Sequence, residues 1–186
     1  MNYPELYILR HGQTEWNLEG RMQGELNSPL TAQGESEAAH QGAILAQCDL
    51  RGFAFFSSPQ GRAVQTAGIA LSRIAGIIQT DDRLREIGVG DWSGLLRDSL
   101  PLPQADDPFM AQYEIAPNGE GLAAVTARCH AFLQELKGPA VLVTHGVTGR
   151  ALREIVAGKD ATQGTDIHGG QGCVYHLKNG SEKLLS

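Results

Sequence analysis

Two apolar runs in this 186-residue chain each end in a histidine followed by a glycine. Leu6-Tyr7-Ile8-Leu9 leads into Arg10-His11-Gly12, and Ala140-Val141-Leu142-Val143 leads into Thr144-His145-Gly146. A short hydrophobic run reads as a buried strand. The switch to polar side chains at its end puts them at the carboxyl edge of a sheet, where open α/β sheets bind ligands. A neutral imidazole there can be a nucleophile, since only an unprotonated ring nitrogen has a lone pair to give. Its second nitrogen must then donate to a fixed acceptor, a backbone carbonyl being the expected one. Arg10 and Arg62 carry planar guanidinium groups that stay charged and donate paired hydrogen bonds to anion oxygens. His145 adds a further donor. This set suits phosphoryl transfer, where phosphorus is attacked in line while its other oxygens are neutralised. Taken singly, each residue has a plainer use: a strand-end histidine can be structural, and Arg62 can be a solvated helix residue.

The elements that would position these groups follow from periodicity. Leu6–Leu9 reads as the first strand, followed by a polar loop to about Leu30. Thr31 then caps a helix whose apolar stripe reads Ala39, Ala43, Ala46 and Leu50. Phe53–Phe56 reads as a strand, and Ser57-Ser58-Pro59 as the cap and first turn of a helix running to about Ala75. Ile77 and Ile78 read as a short third strand. Residues 88–118 are rich in Gly, Pro and Asp and read as a long loop, a candidate lid, with a short helix near Phe109–Tyr113. Leu122, Val125, Cys129, Phe132, Leu133 and Leu136 mark another helix. A strand over Val141–Thr144, a helix over Val147–Ala157, and a last hairpin of Cys173–Leu177 with Lys183–Leu185 across Asn179-Gly180 complete the chain. Alternating strands and helices predict one α/β domain spanning 1–186, with a mainly parallel central sheet and helices on both faces.

Composition narrows the partners. Apolar residues make up 41% and charged residues 19%, ordinary values for a globular domain, and the net charge of -6 argues against nucleic acid or an anionic membrane surface. An anionic small molecule would need a local cationic pocket, which Arg10 and Arg62 can supply. No apolar run approaches the roughly 18 residues of a membrane span, and the N-terminus lacks a signal-peptide pattern, so a cytoplasmic location is expected. Cys48, Cys129 and Cys173 are odd in number and widely spaced, which predicts buried reduced thiols rather than a disulfide framework. The histidines show no metal-ligand spacing, so no metal or other cofactor is expected. Any self-association would default to a homodimer.

The chain resembles the histidine phosphatase superfamily, the fold group that includes phosphoglycerate mutase. The resemblance rests on Leu9-Arg10-His11-Gly12 with Thr14, Trp16 and Asn17, then Gly20-Arg21-Met22-Gln23-Gly24, Asn27-Ser28-Pro29-Leu30-Thr31, and Ser57-Ser58-Pro59 with Arg62-Ala63 and Gln65-Thr66-Ala67. Leu84-Arg85-Glu86-Ile87-Gly88 and Thr144-His145-Gly146 complete it. The resemblance implies that His11 is the phosphorylated histidine, that Arg10, Arg62 and His145 form the phosphate pocket, and that Glu86 is the proton donor. It also implies that Asn17 and Gln23 line the pocket and that the Gly146 N–H faces a phosphate oxygen. Without the resemblance, Glu86 beside Arg85 reads equally as a surface ion-pair partner. Two departures fall outside these residues: Trp92-Ser93-Gly94 where the family often has Trp-Glu-Gly, and Gly119-Glu120-Gly121 where it often has Gly-Glu-Ser.

Other motifs fail on spacing. Gly88, Gly90 and Gly94 are one residue too long for a dinucleotide fingerprint, Ser93 lacks the flanks of a nucleophile elbow, and no P-loop pattern occurs. Three functions fit what remains: a phosphomonoester hydrolase acting on a small phosphorylated metabolite through phosphohistidine, a cofactor-dependent phosphoglycerate mutase, or a non-catalytic binder of phosphorylated ligands. A mutase needs a second anionic cradle. Where family mutases carry a long basic insertion, the stretch from Trp92 to Glu120 offers only Arg97 against Asp98, Asp106, Asp107, Glu114 and Glu120. The hydrolase is therefore the favoured expectation.

Overall fold

The computed structural model describes residues 3–158 and 170–186. Within them, β1 (Leu6–Arg10), β2 (Ala54–Ser57), β3 (Gln79–Thr80), β4 (Ala140–Thr144), β5 (Val174–Lys178) and β6 (Ser181–Leu185) form one sheet in the order β3-β2-β4-β1-β5-β6. The pairings β1 with β4, β4 with β2 and β2 with β3 are parallel, while β5 and β6 add an antiparallel edge. The hairpin between them turns at Asn179 and Gly180, both at positive φ (54° and 74°), the pattern that an Asn-Gly turn favours. Pairing of β1 with β4 sets Arg10 opposite Thr144, so the residues that follow, His11 and His145, emerge side by side. The His11 N–H continues the ladder to Thr144 O at 2.9 Å.

Alternation along the strands divides the core. Leu6 and Ile8, with Ala140 and Leu142, pack against α5 (Leu122–Glu135) and α6 (Gly146–Ala157) through Val125, Cys129, Phe132, Leu133, Val147 and Leu152. Tyr7, Leu9, Val141 and Val143 face the other way, against α2 (Ala32–Leu45) and α3 (Gly61–Ala70) through Leu45, Ala63, Ala67 and Ala70. All five residues of β4 are buried. Each fully buried Leu, Ile or Val contributes about 1.5–3 kcal/mol, so the strand that carries His145 is among the most firmly held parts of the sheet.

Several boundaries and faces differ from the sequence reading. The buried stripe of α2 is Gly34, Ala38, Gln41 and Leu45, whereas Ala39, Ala43 and Ala46 are exposed. The helix turns its small and polar residues inward because it packs on the loop after β1. There Gln41 Nε2 donates to Arg10 O and to Cys173 O, each at 2.9 Å. Helix α3 starts at Gly61 with Gln60 as its N-cap, which leaves Pro59 outside, and it ends at Ala70. The third strand is Gln79–Thr80, with Ile77 78% exposed. Its pairing is anchored from the other side, by the Asp81 N–H on Ser57 O at 3.1 Å and the Asp81 side chain capping the next turn. The loop after β1 contains an unforeseen helical turn, α1 (Glu15–Leu18), fixed by a capping box between Thr14 and Asn17. Residues 88–118 hold two short 3-10 turns and α4 (Pro108–Glu114), the latter close to the expected short helix.

Candidate active site

His11 is 3% exposed, and its hydrogen bonds define its protonation. Nδ1 donates to Gly12 O at 2.8 Å, and Nε2 accepts from Arg62 Nε at 3.2 Å. An acceptor nitrogen carries no proton, so the ring is neutral with its lone pair on Nε2. Burial, reinforced by the charges of Arg62 and Arg10, drives the His11 pKa well below its ordinary value. The supporting loop admits only glycine at two facing positions. A Cβ on Gly12 would lie 2.1 Å from Gly34 O, and one on Gly34 would lie 2.0 Å from Gln13 O. Thr66 adds a side-chain tie: its Oγ1 accepts from the Gly12 N–H at 3.1 Å and donates to Arg62 O at 2.8 Å.

Arg62, 1% exposed, reaches the same point from the first turn of α3. Its Nη1 donates to Leu26 O at 2.6 Å and its Nη2 to Gly24 O at 2.9 Å. Desolvation pulls its pKa down to about 10, partly opposed by Glu86, which leaves it charged at neutral pH. Arg10, at the end of β1, is likewise lowered by burial and supported chiefly by Glu86. His145 follows β4, with its ring centroid 5.1 Å from that of His11 at an interplanar angle of 62°. Its Nε2 lies 2.8 Å from Ser58 Oγ, while Nδ1 is buried with no hydrogen-bond partner among the described residues. If the Ser58 hydroxyl donates to Nε2, Nδ1 carries the hydrogen of the neutral ring. Burial, with Arg62, His11 and Arg10 nearby, holds His145 well below its ordinary pKa too.

Glu86 sits against the start of α6. Oε1 accepts from the backbone N–H groups of Ile87 and Thr148, each at 3.1 Å, and Oε2 accepts from that of Val147 at 3.1 Å. Gln60 links this corner to Arg62: its Oε1 accepts from Glu86 N–H at 2.7 Å, and its Nε2 donates at 2.9 Å to Gly24 O, the carbonyl that Arg62 also uses.

These residues enclose a cavity of about 290 Å³. Arg10, His11, Asn17, Gln23, Arg62, Glu86 and Gly146 line it, whereas His145 is buried beside His11 and is not part of the lining. Asn17 and Gln23 also brace the wall: Asn17 Oδ1 accepts from Thr14 N–H at 3.2 Å, and Gln23 Nε2 donates to Thr14 Oγ1 at 2.6 Å. The outer wall brings in residues that the sequence reading did not place in the site, among them Arg21, Met22, Arg97, Asp98, Phe109 and Tyr113. Arg97 donates from Nη1 to Gln112 Oε1 at 2.7 Å and from Nη2 to Tyr113 Oη at 2.6 Å, and it lies 5.0 Å from the centre of the Tyr113 ring. Its isolation as the one cation between Trp92 and Glu120 was the signal available in sequence. The three cysteines are unpaired, Cys129 buried and Cys48 and Cys173 half-buried. Among the described residues, no group of His, Cys, Asp or Glu is placed to hold a metal ion, and no helix is long and apolar enough to cross a membrane.

Paired strand-end histidines, buried guanidinium groups and a carboxylate thus gather around one cavity at the carboxyl edge of an α/β sheet. The family model of the histidine phosphatase superfamily, branch 1, matches residues 6–184, and the chain belongs to that superfamily. It is 32% identical over 168 residues to a probable phosphoglycerate mutase of Salmonella arizonae, covering 84% of this chain and 76% of the relative. It is 37% identical over 119 residues to a 2,3-bisphosphoglycerate-dependent phosphoglycerate mutase of Hyphomonas neptunium; that match covers 61% of this chain and only 50% of the relative's length. Among solved structures, a mycobacterial glucosyl-3-phosphoglycerate phosphatase in complex with VO3 superposes with a TM-score of 0.76 at 27% identity, over 97% of this chain and 96% of that one.

Proposed function

We propose that this protein is a metal-independent phosphomonoester hydrolase that works through phosphorylated His11 on a small phosphorylated metabolite. The observation that carries the reading is the state of His11: a neutral ring with its lone pair on Nε2, held beside the Arg62 guanidinium in a cavity that Arg10 and Glu86 also line. In the first step the Nε2 lone pair attacks phosphorus, the P–O ester bond breaks, and the leaving oxygen takes the bond's electron pair and a proton from Glu86. Arg62 turns its Nε–H from His11 to the phosphoryl oxygens as the substrate enters. In the second step the Glu86 carboxylate takes a proton from water and the resulting hydroxide attacks phosphorus. The P–N bond then breaks, its electrons return to Nε2, and inorganic phosphate leaves.

Hydrolysis is favoured over mutase action by the outer wall. The single cation from the 92–120 stretch, Arg97, is engaged with Gln112 and Tyr113 and has Asp98 for a neighbour, a poor second cradle for a bisphosphate. This segment acts as the specificity element. The competing reading, a mutase, draws on the names of the sequence relatives and on Arg21, a second cation in the outer wall. A rapid-quench reaction with a 32P-labelled phosphomonoester tests the proposal. Acid-labile label should appear on wild-type protein and be absent from His11→Gln, with steady phosphate release in the absence of bisphosphoglycerate. Label on His11 with turnover only when bisphosphoglycerate is added would establish the mutase instead, and binding with no label would leave a non-catalytic binder.

A further inference from the structure

Two of the donors on Glu86 come from one residue outside the cavity lining, and they divide the carboxylate into unlike halves. Oε1 receives two backbone N–H groups, from Ile87 and Thr148, and so is the more heavily hydrogen-bonded of the two oxygens. Oε2 receives one, from Val147, and keeps a lone pair on the carboxyl group that lines the cavity. The proton of the acid form therefore belongs on Oε2.

The Thr148 hydroxyl is fully buried, with two acceptors for its single hydrogen: Arg85 O at 2.5 Å and Glu86 Oε1 at 3.2 Å. Its oxygen is held in place by Arg128, whose Nη2 donates to it at 3.3 Å. Arg128 is itself anchored, by Nε on Glu120 Oε1 at 2.7 Å and Nη1 on Arg83 O at 2.6 Å. The hydroxyl can rotate between its acceptors while its oxygen stays still.

We propose that Thr148 is a positioning residue for proton delivery, its hydroxyl turning from Arg85 O to Glu86 Oε1 as Glu86 gives up the Oε2 proton, and turning back as the carboxyl is reprotonated. The proposal rests on Glu86 being the acid of the reaction described above. The hydrogen bond to Oε1 appears when negative charge appears on the carboxylate, so it favours the transition state of proton transfer over the ground state. No bond other than the proton's own changes, and the hydroxyl keeps its hydrogen throughout.

The test compares an alkyl phosphate, whose leaving oxygen must be protonated, with p-nitrophenyl phosphate, whose leaving group departs as an anion. Thr148→Val keeps the shape and the backbone N–H but deletes the hydroxyl. It should lower kcat on the alkyl ester about tenfold, leave KM and the aryl ester within about twofold, and be rescued by Thr148→Ser. Equal losses on both esters, no loss on either, or failure of the serine variant to rescue would overturn the proposal. Should the valine variant not fold, Arg128→Gln, which releases the hydroxyl oxygen from outside the cavity, should give the same ester-selective loss; an unselective loss counts against the proposal. Glu86→Gln separates the two levels. If it slows both esters equally, the acid assignment itself fails, whereas an ester-selective Glu86→Gln beside an unselective Thr148→Val removes only the role of Thr148.

Discussion

His11 and His145 are buried neutral in the folded protein, and that burial makes stability depend on pH in a calculable way. Both pKa values lie well below the ordinary 6.5, with desolvation the largest cause and Arg62 the next. A folded-state value below the unfolded one means the unfolded chain binds more protons. The associated stability is therefore complete above about pH 6.5 and is lost as pH falls below it toward the folded-state values. Between about pH 7.5 and 5.5 a ring that takes up its proton only in the unfolded chain costs on the order of 1 kcal/mol, so the pair costs on the order of 2–3 kcal/mol. The assay is urea unfolding at the two pH values in buffer free of phosphate and sulfate, which would bind the folded state and mask the effect. His11→Gln and His145→Gln should each remove about half of the pH dependence. Carboxylates that also lose stability on acidification, such as Asp81 held low by its hydrogen bonds from Arg83, cancel in the wild-type-minus-variant difference. If wild type and both variants lose the same stability over this range, the rings are not buried in their neutral form and the nucleophile assignment loses its physical basis.

Three other outcomes are expected. Gly34→Ala should gain helix propensity yet destabilise the protein by about 3 kcal/mol, because its Cβ would fall on Gln13 O; the urea midpoint measures this. Arg62→Lys should keep the charge but lose the forked donors that reach Leu26 O, Gly24 O and His11, lowering kcat/KM about 100-fold, as steady-state kinetics would register. Orthovanadate should inhibit competitively and more tightly than phosphate binds, as a mimic of the five-coordinate phosphorus, while prolonged dialysis against a chelator should leave turnover unchanged.

What the sequence disclosed was governed by local signals, and what it hid was governed by packing between distant segments. The strand ends at Arg10-His11-Gly12 and Thr144-His145-Gly146 were legible because a buried parallel strand is apolar along its whole length and stops abruptly where the chain turns polar. The inward face of α2 was misread because a glycine and a glutamine carry little hydrophobic signal. Yet Gly34 is needed where two backbones meet, and Gln41 to satisfy two carbonyls. The short strand β3 shifted from Ile77 and Ile78 to Gln79 and Thr80 because edge pairing was decided by backbone hydrogen bonds around Asp81 rather than by hydropathy. Ser58 was expected to help cap α3, but its hydroxyl faces His145. Phe109 and Tyr113 come from a stretch without strong periodicity, so nothing local assigned them to the cavity, and Arg97 stood out there only as its one cation.

The crossing of Gly12 over Gly34 is a contact between main chains, with no side chain on either partner that substitution could resize. The corner that aims the nucleophile therefore has almost no freedom to drift. The opposite rim, assembled from Arg97, Asp98, Phe109 and Tyr113, consists entirely of exchangeable side chains. Attempts to redirect this scaffold toward new esters should spend their diversity on that rim and keep the glycine crossing untouched.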